Sequence, residues 1–128
     1  VRHYEKLSNI AYDILSNVPC LIVNRTNGAF YMTAVFNEAV LNSRQSLPIE
    51  NDDIRQFVEN LVHDKIEPDK RFVYYLLGAT GICVVPLTSF FTALPGFRMT
   101  LLDKDEKEFE RVVRTIAEGV TRYINSAT

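Results

Sequence analysis

The sequence predicts an α+β domain: a small, mostly antiparallel sheet flanked by helices, with long helices at both ends. Three observations carry that prediction. Apolar residues recur at helical spacing near both termini, as Tyr4, Leu7, Ile10, Ala11, Ile14 and Leu15 at one end and Phe109, Val112, Val113, Ile116, Val120 and Tyr123 at the other. Short β-rich runs lie between them, separated by turn formers. One of these, FRMTLL, alternates Phe97, Met99 and Leu101 against Arg98, Thr100 and Leu102.

Taken in order, the first sixteen or so residues form an amphipathic helix that Asn17 and Pro19 end. A strand follows in Cys20–Val23, a turn in Asn24–Gly28 and another β-rich run in Ala29–Phe36. Asn27-Gly28 marks the turn because both residues tolerate positive φ, so the two strands form a hairpin or one bent edge strand. Asn37–Glu50 is polar and irregular, with room for a short helix. From Asp52, the residues Ile54, Phe57, Val58, Leu61 and Val62 predict a second helix. Pro68 opens a third, which carries Phe72, Tyr75, Leu76 and Ala79 and stops at Gly81. Ile82–Val85 reads as a short apolar strand closed by Pro86. Asp103, with Glu106 three residues on, resembles a capping box for the last helix.

Composition narrows the function classes. A chain of 128 residues is the size of one domain and is long enough for its own core. A net charge of −2 leaves no electrostatic footprint for nucleic acid or an anionic membrane. No apolar run approaches the roughly 20 residues that a bilayer span requires. The two cysteines, Cys20 and Cys83, sit in apolar runs and read as buried structural thiols, which fits a cytoplasmic protein. The chain starts at Val1 without a methionine and enters a helical pattern at once. The expectation is a single domain, 1–128, that forms the C-terminal part of something longer.

Catalytic groupings are sparse. His3 and His63 are isolated, with no metal-ligand spacing around them. The acidic clusters Glu50–Asp53 and Asp103–Glu110 read as solvated helix starts, where negative charge is favourable. Ser89 has no base nearby in sequence and no flanking glycines of a nucleophile elbow. Arg98 stands out because it interrupts the most apolar region of the chain, and a guanidinium cannot shed its charge. Either its face of the strand is wet and it meets water or a nearby acid, or it grips a carboxylate through the two parallel hydrogen bonds its fork allows.

Read in order, LLGATGICVVPLTSFF, then FRMTLL, then a long terminal helix resembles the C-terminal small domain of class I/II (fold type I) pyridoxal-phosphate-dependent aminotransferases. The alanine-aminotransferase-like branch typically reads LLEETGICVVPGSGF, followed by FRMT. NGAFYM, at Asn27–Met32, is similar to the GAFY or GAMY strand of that family. The resemblance is strongest over Leu76–Leu102 and absent from about Asn37 to Arg71. One departure is Leu87, where the family has glycine after VVP.

The resemblance implies that Arg98 binds the α-carboxylate of an amino acid or 2-oxo acid substrate. It implies pyridoxal 5'-phosphate as the parent's cofactor, with the Schiff-base lysine and the other main binding residues in a large domain outside this chain. Lys6, Lys65, Lys70, Lys104 and Lys107 follow no family-like Ser-x-x-Lys pattern. The fragment is therefore expected to be inactive alone, to bind no cofactor or metal by itself, and to belong to a homodimeric cytoplasmic enzyme. Two alternatives are a ligand-sensing aminotransferase-like domain of a transcription regulator and a non-catalytic α+β interaction domain.

Overall fold

A computed structural model describes residues 2–25, 31–37, 40–90, 94–100 and 105–127. The Asn27-Gly28 turn, Ala29 and Phe30, Leu101 and Leu102, Lys104, and the first capping residue Asp103 lie outside the described residues, as do the side chains of His3, Tyr4, Ser89 and Phe90. The elements run α1 (Arg2–Leu15), β1 (Leu21–Arg25), β2 (Tyr31–Phe36), α2 (Asp52–His63), α3 (Pro68–Thr80), β3 (Val85–Pro86), β4 (Gly96–Thr100) and α4 (Glu106–Asn125). A short 3-10 helix at Leu87–Phe90 lies between β3 and β4. Leu87 thus begins a helical turn.

The four strands form one sheet in the order β1-β2-β4-β3, with every neighbouring pair antiparallel. The α+β class with an antiparallel sheet is borne out. β1 and β2 pair from Leu21↔Phe36 to Arg25↔Met32, so they form the hairpin and not a bent edge. The predicted strand Ile82–Val85 is much shorter than expected: pairing begins at Val85 and ends at Pro86. That difference undoes part of the cysteine reading. Cys83 is exposed and Cys20 only half-buried, because an apolar run buries its side chains only where another layer covers it.

Local signals explain most helix ends. Asn51 caps α2, its Oδ1 accepting from the Ile54 N–H at 3.0 Å. Pro68 occupies the first turn of α3, and Gly81 closes it with φ 77°, a conformation that only glycine adopts cheaply. The cap of α4 is a correction. It is Asp105 whose carboxylate accepts from the Lys107 and Glu108 N–H groups, and Glu106 is already helical. In α2 only Val58 and Val62 are buried, while Ile54, Phe57 and Leu61 face solvent.

The core lies on one face of the sheet. Met32, Ala34 and Phe36 of β2 and Phe97 and Met99 of β4 pack beneath Leu7, Ala11 and Leu15 of α1, Phe72 and Leu76 of α3, and Val113, Ile116, Val120 and Tyr123 of α4. Alternation along each strand leaves the next residues on the other face, which none of the described helices covers. The irregular segment 40–50 contains no helix and is tied to the end of α4 instead. Buried Gln45 donates to the Val40 and Ile124 carbonyls at 2.7 and 3.2 Å and accepts from the Asn42 N–H at 2.8 Å.

One buried group is unsatisfied. The Tyr123 ring is fully enclosed against Phe72, and its hydroxyl has no hydrogen-bond partner among the described residues. Burial pushes the phenol well above its ordinary range, and Arg71, through its charge and an approach to the hydroxyl too poor in geometry to count as a hydrogen bond, offsets only part of that. Tyr123→Phe keeps the ring and removes the stranded hydroxyl. It should leave unfolding free energy unchanged or raise it by up to about 1 kcal/mol, read from urea denaturation. A loss of more than ~1 kcal/mol would mean that the hydroxyl has a partner in solution.

Candidate functional site

The helix-free face of the sheet carries Ile22 and Asn24 from β1, Tyr31, Thr33 and Val35 from β2, Arg98 and Thr100 from β4, and Val85 from β3. The predicted alternation holds: Phe97 and Met99 are buried, Arg98 is half-buried and Thr100 exposed. β4 is an inner strand, so Arg98 has a neighbour on each side, Thr33 across from it on β2 and Val85 on β3. A paired inner strand fixes the backbone of such a residue far better than a loop.

The Arg98 guanidinium lies over the ring of Tyr31, with its carbon 4.9 Å from the ring centroid. Tyr31 faces Thr100 in register, so it is the diagonal neighbour of Arg98, within reach of two long side chains. Such a cation–π contact is worth about 0.5–1 kcal/mol at an exposed site. Sequence reading singled out Arg98 but missed Tyr31. The signal was present in the alternation Tyr31, Thr33, Val35, which matches the open face of β4 once the register is known.

Asp69, in the first turn of α3, is the second residue that sequence reading missed. It is fully buried. One carboxylate oxygen accepts from the Thr88 N–H at 3.0 Å and the Gly96 N–H at 3.3 Å, and the other accepts from the Thr88 hydroxyl at 2.6 Å. Three donors and a place near the helix N-terminus make burial of this carboxylate tolerable.

The other predicted chemistry stays dispersed. His63 is exposed at the last turn of α2, beside a cleft of about 740 Å³ that also involves Lys65, Arg71 and Tyr75 and not Arg98. Arg71 spends its Nε on the Gln45 carbonyl at 2.9 Å and stacks on Tyr75. Among the described residues no group of three or more histidines, cysteines or acids is placed to hold a metal ion. No helix among them is long and apolar enough to cross a membrane.

No protein-family model matches the chain. Over 125 residues, 98% of its length, it is 47% identical to a Methanocaldococcus jannaschii protein named as an uncharacterized aminotransferase. The chain spans 29% of that relative's length, so the similarity is to one part of a longer protein.

Proposed function

We propose that this chain is the substrate-carboxylate-binding small domain of a pyridoxal-phosphate-dependent aminotransferase, in the alanine-aminotransferase-like branch. The observation that carries the reading is the placement of Arg98. Its guanidinium stands on an inner strand, on the sheet face that none of the described helices covers, propped by an aromatic ring. The aminotransferase name of the 47% identical relative supports the same class. On this reading the partners are an amino acid or 2-oxo acid, a cofactor-bearing large domain that closes over the open face, and a second subunit of a homodimer.

The described lysines do not fit a covalent attachment site for pyridoxal phosphate. Lys6 and Lys70 sit in ion pairs with Glu106 and Glu67 at 3.6 and 3.2 Å, and Lys65 and Lys107 are exposed. A Schiff-base lysine is activated by desolvation or a cationic neighbour, and none of these has such a setting. On this reading the cofactor's chemistry, which is to stabilise the carbanion formed at the substrate α-carbon, belongs to the protein outside this chain. The task of Arg98 is to bind and orient the α-carboxylate. Closure that excludes water would strengthen that pairing.

Steady-state kinetics of the full-length protein test the reading. Arg98→Lys keeps the charge and loses the bidentate fork, so kcat/KM on an amino acid should fall by about 1.5–3 kcal/mol, roughly 10- to 150-fold. An amine substrate lacking the α-carboxylate should lose nothing. Wild-type rates on amino acids from Arg98→Ala would show that the arginine does not bind the carboxylate.

A further inference from the structure

β4 is held unequally on its two sides. Toward β2 it pairs along its whole length, from Val35↔Gly96 to Tyr31↔Thr100. Toward β3 the ladder has only two positions, Val85↔Arg98 and Pro86↔Phe97. A ladder this short leaves the approach of β3 to β4 weakly specified by the sheet itself. A further restraint comes from α3, through Asp69.

The geometry of that restraint is specific. Thr88 lies two residues beyond Pro86, the end of β3, and Gly96 is the first residue of β4. Asp69 holds both by accepting three hydrogen bonds from them, from a fully buried position in the first turn of α3. Phe72, one turn further along α3, packs its ring 5.7 Å from that of Phe97, the residue before Arg98. Helix α3 therefore grips β4 at two points, one polar and one apolar, at Gly96 and Phe97, the two residues immediately before Arg98. A side chain that must meet a carboxylate in a bidentate geometry tolerates little displacement of its Cα, since a shift of about 1 Å can cost ~100-fold in such positioning.

We propose that Asp69 is the positioning residue for Arg98, its carboxylate locking the end of β3 and the start of β4 to α3 so that the guanidinium is presented at a fixed height on the open sheet face. The role rests on the carboxylate-binding reading of Arg98. It adds to that reading a residue on the buried side of the sheet, one that touches no substrate.

The test uses the full-length protein, pyruvate as the carboxylate probe measured by calorimetry, and deuterium uptake in peptides covering residues 85–100. Asp69→Ala should weaken pyruvate binding at least tenfold and raise uptake in those peptides. Asp69→Asn should stay within about threefold, because its oxygen can accept from both N–H groups while its amide donates to the Thr88 hydroxyl oxygen. Thr88→Val removes only the hydroxyl's bond and should weaken binding three- to fivefold; it replaces Asp69→Ala if that variant does not fold. Unchanged pyruvate affinity in the variant used, with or without faster exchange, overturns the proposal and leaves Asp69 a stabilising residue alone. Equal losses in Asp69→Asn and Asp69→Ala overturn it too, since hydrogen-bond geometry would then not be the cause. Arg98→Ala separates the two claims. If it matches the wild type, including the case where neither binds, the carboxylate reading fails and the positioning role falls with it. If it is weakened while Asp69→Ala is not, only the positioning role is lost.

Discussion

Phe72→Ala is expected to remove about 3–5 kcal/mol of stability, the usual cost of deleting a buried aromatic side chain. Phe72 is fully enclosed, and its ring meets three others: Phe36 at 5.3 Å, Phe97 at 5.7 Å and Tyr123 at 5.1 Å between centroids. Those partners come from β2, β4 and α4, so one side chain joins three elements that are distant in sequence. Two of the contacts are edge-to-face, a geometry worth about 0.5–1.5 kcal/mol beyond the area buried. Truncation leaves a space that the three neighbouring rings, being rigid, fill poorly. The urea midpoint should drop by roughly 2 M at an m-value of about 2 kcal/mol per molar. Phe72→Leu, which keeps most of the volume, should lose less than half as much. A midpoint shift under about 0.5 M for the alanine variant would contradict this place for Phe72 in the core.

Gly96→Ala should rank second, and it acts on the backbone. A Cβ at this position would collide with the Ala34 carbonyl oxygen and come within 3.0 Å of the Val35 Cα. Both belong to β2, and a backbone atom in a ladder cannot swing aside as the end of a side chain can. Relief requires β4 to draw away from β2 at its first residue. That opens the Val35↔Gly96 pair and strains two neighbouring hydrogen bonds, from the Phe36 N–H to the Pro95 carbonyl at 2.9 Å and from the Gly96 N–H to Asp69 at 3.3 Å. Overpacking of this kind costs about 1–3 kcal/mol. Denaturation of the variant measures the loss, and a change within ±0.5 kcal/mol, ordinary for a surface site, would show that the strands do not approach so closely.

How much of this was legible beforehand depends on the range of the interaction. Helix periodicity, Pro68 at the start of α3 and Gly81 at its end are written within a few residues, and they were read correctly. The same holds for the faces of β4, since alternation needs no partner to be seen. Arg98 could therefore be placed on the face opposite Phe97 before any register was known. The misses share another character. Cys83 and the shortened β3 depend on whether a neighbouring strand covers the segment. Three of the five apolar stripe residues on α2 stay uncovered for the same kind of reason, since periodicity shows that a stripe exists but not how wide the surface across from it is. Asp69 looked like any acidic residue in a first helical turn. Its donors lie 19 and 27 residues further along the chain, and no local pattern announces them. Tyr31 beneath Arg98 needed the β2–β4 register, which fixes diagonal neighbours only once the strands are aligned.

The one-sided core has a consequence for how such a surface can change over evolutionary time. Along β2 and β4, every second residue supports the fold, while the residues between them look out from the other face. Thr33 and Val85, half-buried, and Thr100, exposed, frame Arg98 without belonging to the buried core, so their exchange costs less than that of a core residue. Met32, Ala34, Phe97 and Met99, their immediate neighbours in sequence, have no such freedom. The pleat thus acts as an insulator between two selective pressures. A lineage can diversify the rim around a constant guanidinium without eroding the scaffold, and an engineer can randomise those three positions as a library while leaving the alternate ones alone.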